Sequence, residues 1–320
     1  MSLLVNDSLI EGVQPIRQAV FSHFKDHFAA SYTNRSGVDN FAFKILSYVD
    51  GNGLIKPFSV DDVKTAIWDC DKYKSPRPDG VHFGFIKEFW EVLKGDIMCF
   101  IHDFHRNDKL TKGINTTFIA LIPKVDSPQS LNDFRPISLV GCLYKILSKV
   151  LANRLKMVMG SLIAETQTVF VKDRQILDEI LIANEVVDEA RKNKKELMLF
   201  KVGFEKAYDS KDWDYLDAVM SKMAFPVLWI KWIKECVSTA TAFVLVNGSP
   251  TDEFPLKRGL RQGDPLSPFL FLLAAEGLNV MMKSLVENNL FTGYGVGHAN
   301  DTVVSHLQCA DDTMLLGAKS

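Results

Sequence analysis

The 320-residue sequence predicts an α+β fold, with an antiparallel sheet that carries helices on one face. Three observations predict it. Apolar residues recur at helical spacing in several long segments, most clearly in 143–159. Short β-forming runs bounded by Gly, Pro, Asn and Asp stand between those segments. In the last 120 or so residues the elements run strand–helix, hairpin–loop–helix, then a hairpin with two acids at its tip.

The composition is that of a globular chain, 47% hydrophobic and 24% charged, long enough for one large or two ordinary domains. Its 22 Phe and 5 Trp imply a sizeable core. The net charge of −2 gives no global sign of a nucleic-acid partner, but residues 106–174 carry a local balance of +6. The five cysteines, Cys70, Cys99, Cys142, Cys236 and Cys309, show no metal-type spacing and are expected to be reduced, buried thiols of an intracellular protein. No signal peptide follows Met1. The longest apolar run, 269–275, is too short to span a bilayer, so no membrane partner is expected.

Each element has a local reason. Residues 14–29 carry Ile16, Val20 and Phe24 at helical spacing. Ser59 is a good N-cap with Asp62 at the third helical position, which starts a helix running to about Cys70. Two prolines and a glycine make 74–80 a fixed loop. Residues 83–104 read as one long helix with Phe85, Phe89, Leu93 and Phe100 inward. Residues 117–123 and 134–139 read as extended pieces around a polar turn. Segment 143–159 is amphipathic, with Leu143, Ile146, Leu147, Val150, Leu151 and Leu155 on one face. Lys145, Lys149 and Lys156 form another face, which either meets phosphates or is simply solvated.

A helix follows over 175–192. Residues 197–204 are apolar enough for a buried central strand. A helix is expected over 210–223 with Trp213, Leu216 and Met220 inward, and Asp209 as its cap. Residues 243–247 and 253–256 read as a hairpin, 258–265 as a Gly-rich polar loop, and 267–286 as a helix carrying Leu270, Leu273, Leu278 and Met281. Asp311 and Asp312 then sit between apolar runs, 302–304 before and 314–316 after, at the tip of a strand–turn–strand. Adjacent carboxylates repel. Such a turn is either a solvated Asp-Asp pair or a site for a hard divalent cation.

Three stretches together are more specific. Leu199-Phe200-Lys201-Val202-Gly203-Phe204-Glu205-Lys206-Ala207-Tyr208-Asp209, Arg261-Gln262-Gly263-Asp264-Pro265-Leu266-Ser267-Pro268 and Ala310-Asp311-Asp312 resemble, in order and spacing, the palm motifs of reverse transcriptases. The form resembles that of long-interspersed-element (non-LTR) retrotransposons of plant genomes. Phe134-Arg135-Pro136-Ile137-Ser138-Leu139 and the loop 74–80 resemble that class's finger motifs. The resemblance covers residues 55–320, which divide into 55–196, mainly fingers, and 197–320, mainly palm, after a helical lead-in over 1–54.

The resemblance implies a right-hand polymerase with an antiparallel palm sheet, performing RNA-directed DNA synthesis with Mg²⁺ or Mn²⁺. It implies an RNA template, a DNA primer and deoxynucleotide triphosphates as partners, no obligate protein partner, and a nuclear location. Nucleotidyl transfer of this kind uses two metal ions about 4 Å apart, held by carboxylates from two strands. Asp311 and Asp312 match the catalytic, metal-binding pair. The third carboxylate should stand where this chain has Gly203, so the copy is expected to be a weak or inactive enzyme. Glu205 lies two residues on, roughly 6 to 7 Å along the strand, too far to replace it.

Other roles carry over residue by residue. Tyr208 matches the gate that excludes a ribose 2′-hydroxyl; a core aromatic is the plain alternative. Gln262 and Gly263 match the loop that meets the incoming nucleotide. Lys124 and Arg135 match finger cations on the triphosphate, Arg through its bidentate fork; a solvated surface lysine is the alternative for Lys124. Arg174 and Gln175 match template contacts, with Lys145 and Lys149 as further nucleic-acid candidates. Lys211, Arg77, Asp173 and Cys309 depart from the family pattern. The chain stops eight residues after Asp312, where family members continue into a thumb, so a truncated copy with the thumb missing is expected.

Overall fold

The computed structural model describes residues 2–5, 8–30, 37–38, 41–73, 78–204, 206–297 and 302–318. The chain opens with an antiparallel pair, β1 (Ser2–Val5) and β2 (Ser8–Glu11). Helix α1 (Val13–His27) then buries Ile16, Val20 and Phe24. Helix α2 (Tyr48–Ile55) is capped by Ser47. Helix α3 (Val60–Trp68) starts with the expected Ser59–Asp62 capping box, each side chain meeting the other's backbone N–H.

Segment 83–104 is not one helix. It divides into α4 (Phe83–Glu88) and α5 (Trp90–Asn107), because Phe89 leaves helical geometry at φ −100°, ψ 25°. The break changes which side faces inward. Phe85 and Phe89, 44% and 47% exposed, meet at the surface with rings tilted 43° to each other, while Phe83, Ile86, Trp90, Ile97, Ile101 and Phe104 fill the core. Residues 74–77 of the predicted finger loop, Arg77 among them, lie outside the described residues.

Strands β3 (Thr116–Pro123) and β4 (Phe134–Val140) flank a short 3-10 turn, Leu131–Asp133. Helix α6 (Cys142–Leu162) is the central element. Ile146, Leu147, Val150, Leu151 and Leu155 are buried together, as the amphipathic pattern required. Helix α7 (Ile176–Asn193) and strand β5 (Leu197–Gly203) follow. Helix α8 (Trp213–Lys222) is capped by Asp212, which accepts from Tyr215 N–H, and not by Asp209; Asp209 is buried elsewhere. Helix α9 (Val227–Ser238) buries Trp229 and Trp232 completely.

Strands β6 (Thr241–Val246), β7 (Ser249–Pro250) and β8 (Phe254–Pro255) make the predicted hairpin. Helix α10 (Ser267–Glu287) packs Leu270, Leu273 and Met282 inward and exposes Met281. It is the one described helix long and apolar enough to cross a membrane, and more than half of its apolar stretch is buried within the fold. Strands β9 (Tyr294–Val296) and β10 (Thr302–Val304) pair with each other. Strands β11 (His306–Cys309) and β12 (Asp312–Ala318) form the acidic hairpin, so residues 302–304 belong to the neighbouring pair and not to it.

The single antiparallel sheet of the sequence reading is replaced by several sheets among the described residues. One has the order β4-β3-β6-β7, with β8 also on β6, and β3 runs parallel to β6. The other large one is β11-β12-β5. Pairing β3 with β6 joins residues more than 120 apart, which no local pattern signals. Strand β5 is an edge strand and not a central one: among the described residues it pairs with β12 alone, and Phe200 is 58% exposed. Its apolar run therefore does not report burial. The main core gathers α3, α5, α6, α8, α9 and α10; a second cluster lies between α1 and the β3–β6 sheet. All five cysteines are free. Cys70, Cys142 and Cys236 are buried as expected, but Cys99 is exposed and Cys309 half-buried.

Candidate active site

The acidic turn is the two residues Ala310 and Asp311, since Cys309 pairs with Asp312 across the hairpin. Ala310 takes φ 53°, the left-handed geometry a two-residue hairpin turn favours. Its N–H donates to Gln167 Oε1 at 3.1 Å, and Gln167 is only 2% exposed. Residues 166–168 run beside β11, with Gln308 N–H donating to Thr166 O at 2.8 Å and Thr168 N–H to Gln308 O at 3.3 Å. The tip is thus braced from outside its own hairpin.

Asp312 lies directly across from Gly203 on β5, and Phe204 N–H donates to Asp311 O at 3.3 Å. Residues paired across an antiparallel ladder share a face. A Cβ at position 203 would sit 3.4 Å from Asp312 Oδ1, an ordinary contact. Two residues earlier on the same face, Lys201 Nζ lies 3.0 Å from Asp312 Oδ2. The acidic seat is therefore two carboxylates, a glycine and an ammonium. Among the described residues no three His, Cys, Asp or Glu side chains gather to hold a metal ion. Glu205 lies outside the described residues.

Beside the seat is a pocket of about 460 Å³. Lys124, Arg135, Tyr208, Gln262, Gly263 and Asp311, scattered over 188 positions of sequence, all line it. The Tyr208 ring stacks on Phe271, with centroids 4.8 Å apart and 12° between planes. Burial, and secondarily the Asp311 charge, push its phenol up to about 12, so it is a neutral hydroxyl at physiological pH. Lys211, the departure just beyond it, rests its ammonium over the same Phe271 ring at 4.6 Å.

The Gln262 loop is held by close backbone contacts. Ser138 N–H donates to Gln262 O at 2.7 Å, and Leu260 N–H to Tyr208 O at 2.8 Å. Gly259 (φ 86°) and Gly263 (φ 102°) are both obligatory: a Cβ would lie 2.5 Å from Asp209 O at the first and 2.8 Å from Ser138 O at the second. Under the loop is a buried ion pair. Arg261 Nη2 donates to Asp264 Oδ2 at 2.9 Å and Nη1 to Asn115 Oδ1 at 2.6 Å, and the guanidinium lies 4.2 Å over the Tyr144 ring. The Tyr144 hydroxyl also donates to Asp264 Oδ2, at 2.8 Å. Every member is paired, which is the condition for such a network to hold a shape.

The remaining expected nucleic-acid contacts are placed elsewhere. Lys149 pairs with Asp69 at 3.4 Å, and neither it nor Lys145 lines the pocket. Arg174 donates to the carbonyls of Ile163, Ala164 and Gln167, tying down the α6–α7 connection. Gln175 is the N-cap of α7. Sequence reasoning missed Gln167, the Tyr144–Arg261–Asp264 network, and the contribution of α1, whose His23 and His27 face the pocket. His27 Nε2 lies 3.3 Å from Asp209 Oδ2, and its carbonyl accepts from Arg258 Nε and Nη2 at 2.9 and 2.6 Å. The repeated Gly of 258–265 is legible in the sequence; partners 180 residues apart are not.

Comparison with known proteins agrees with this geometry. The family described as reverse transcriptase (RNA-dependent DNA polymerase) matches residues 122–319. The chain is 29% identical over 230 residues, 72% of its length and 18% of the relative's, to a Xenopus laevis protein named Transposon TX1 uncharacterized 149 kDa protein. It is 26% identical over 198 residues, 62% of its length and 27% of the relative's, to the Popillia japonica Retrovirus-related Pol polyprotein from type-1 retrotransposable element R2. Over 69 residues, 22% of its length and 56% of the relative's, it is 42% identical to an uncharacterized mitochondrial protein of Arabidopsis thaliana. The chain thus spans about a fifth to a quarter of the length of the first two relatives. The family match covers well over half of the chain and includes the acidic hairpin, the Gln262 loop, Lys124 and Arg135, and it shows that the chain belongs to the reverse transcriptase family.

Proposed function

We propose that this chain is the fingers-and-palm region of a non-LTR retrotransposon polymerase, of a plant lineage, whose nucleotide pocket is kept and whose chemical step is lost or strongly impaired. The transposon and retrotransposable-element names of the relatives support the element class, and the Arabidopsis relative supports the lineage. On this reading Lys124 and Arg135 take the triphosphate, the Gln262–Gly263 backbone carries the nucleotide, and the neutral Tyr208 ring sits where a 2′-hydroxyl would fall. Divalent ions, Mg²⁺ or Mn²⁺, would be drawn to Asp311 and Asp312, and in active relatives of the family would supply charge stabilisation and an activated primer oxygen.

One observation carries the loss of activity: Gly203 faces Asp312 in register, where a third carboxylate is needed. A non-catalytic remnant that binds nucleic acid weakly is the second reading, and the Lys201 ammonium at Asp312 favours it. Primer extension on a poly-A template, with Mg²⁺ and separately with Mn²⁺, separates the two. The natural chain is expected to be inert and Gly203→Asp to extend the primer. Robust extension by the natural chain would overturn the loss of activity; an inert Gly203→Asp chain would favour the remnant.

A further inference from the structure

Helix α1 lies outside the family-matched residues 122–319, yet it forms part of the pocket wall. What it brings there is basic. His23 and His27 are one helical turn apart, their rings parallel within 3° and 6.3 Å between centroids. Lys206 and Lys124 reach the same wall and converge on one residue: Lys206 Nζ donates to Asn132 Oδ1 at 3.1 Å, Lys124 Nζ to Asn132 O at 3.0 Å. Arg135 stands next to them, exposed and with no side-chain partner among the described residues. His27 is already satisfied by Asp209. His23 has no hydrogen-bond partner among the described residues, only ring contacts to Phe24 and His27.

Basic groups crowd here in excess of the local acids. Among the described residues the acids facing this arc are Asp209, taken by His27, Asp311 on the pocket wall, Asp26 on α1 itself, and Asp133, which acts on Lys124. Burial holds the His23 imidazole below its ordinary value, and repulsion from His27 and Lys206 lowers it further, against a smaller opposing pull from Asp26. Basic side chains gathered on one cavity wall are suited to an anionic ligand.

We propose that His23 and Lys206 form an anion subsite that takes the terminal phosphates of a polyphosphate ligand, such as a nucleoside triphosphate, and that it holds them without a divalent ion. The inference rests on the nucleotide-pocket reading but adds residues from outside the matched family stretch. A bound polyphosphate replaces the repulsion at His23 with attraction and raises its proton affinity. Binding therefore takes up a proton and tightens as pH falls from 7.5 toward 6.

Calorimetric titration of the full chain with inorganic tripolyphosphate in EDTA tests this, at pH 6.0 and 7.5 and in two buffers of different ionisation enthalpy. The natural chain is expected to bind, more tightly at pH 6.0. His23→Gln should weaken binding about tenfold at pH 6.0, the loss of one charge-assisted hydrogen bond, and much less at pH 7.5. The proton uptake in excess of that of His23→Gln should be close to one. Lys206→Gln, in a surface turn, carries the same direction of loss if the His23 variant folds poorly. Equal affinity and equal proton uptake in the natural and variant chains would overturn the subsite, as would an absence of binding in EDTA. A paired Lys124→Ala/Arg135→Ala chain keeps the two readings apart. If it alone loses binding, the finger cations stand and the α1 subsite fails; if neither it nor the His23 variant loses binding, both fail.

Discussion

The Gln262 loop and the acidic turn are neighbours in one site, and they are built in opposite ways. The loop rests on the Arg261–Asp264 ion pair, whose side chains are 6% and 4% exposed and whose guanidinium also donates to Asn115 Oδ1 and Cys236 O. At the acidic turn the ion pair is Lys201–Asp312, 60% and 52% exposed. Separations are nearly equal, 2.9 and 3.0 Å, so distance does not distinguish the pairs; solvent does. A buried pair that loses one partner strands a charge, whereas an exposed pair is screened and contributes little. The Gln262 loop therefore depends on its buried pair, whereas the acidic turn can change its charged groups with little effect on the fold. Gly203 is tolerated because its position on an edge strand needs no side chain for packing.

Substitutions that exchange burial for exposure sharpen the contrast. Arg261→Met leaves Asp264 buried with the Tyr144 hydroxyl as its remaining side-chain partner, and is expected to destabilise by about 3–5 kcal/mol. Thermal unfolding measures this, and a melting point unchanged from the natural chain would break the comparison.

Next in size is a pH effect beneath the acidic hairpin. Burial pushes His306 down to about 4 from an ordinary 6.5, with Nε2 3.2 Å from Asn279 Oδ1. The unfolded chain therefore binds this proton more readily than the folded one. The contribution of neutral His306 is present above about pH 6.5 and is lost as pH falls from there toward 4, by roughly 2–3 kcal/mol at most. Denaturant midpoints at pH 7 and pH 4.5 for the natural chain and His306→Gln should differ more for the natural chain; parallel losses would exclude His306 as the cause.

The smallest effect belongs to the exposed pair. Lys201→Met is expected to change stability by less than about 0.5 kcal/mol. A loss above 2 kcal/mol in the same unfolding assay would mean that the acidic seat is as tightly built as the loop.

Much of this site was legible in the chain. The order of the three motifs, the helical period of 143–159 and the Ser59–Asp62 capping box are local, and local patterns survive folding because backbone geometry sets them. The errors fell where long-range packing decides. Residues 197–204 carry the apolarity of a buried strand but lie on an edge, because β12 takes one side and no described strand takes the other. Segment 83–104 has an unbroken helical pattern, yet the turn at Phe89 reverses which aromatics face inward.

By itself the sequence determined the family, the two acids of the turn and the glycine at position 203, because each is a matter of residue type at a fixed spacing. Only the tertiary structure decided that Gly203 and Asp312 are paired, that Lys201 answers Asp312, and that α1 carries His23 and His27 to a pocket built from residues more than a hundred positions away. The physical reason is that side-chain chemistry is written along the chain, whereas proximity is created by burying apolar surface, and that burial joins segments without regard to their distance in sequence.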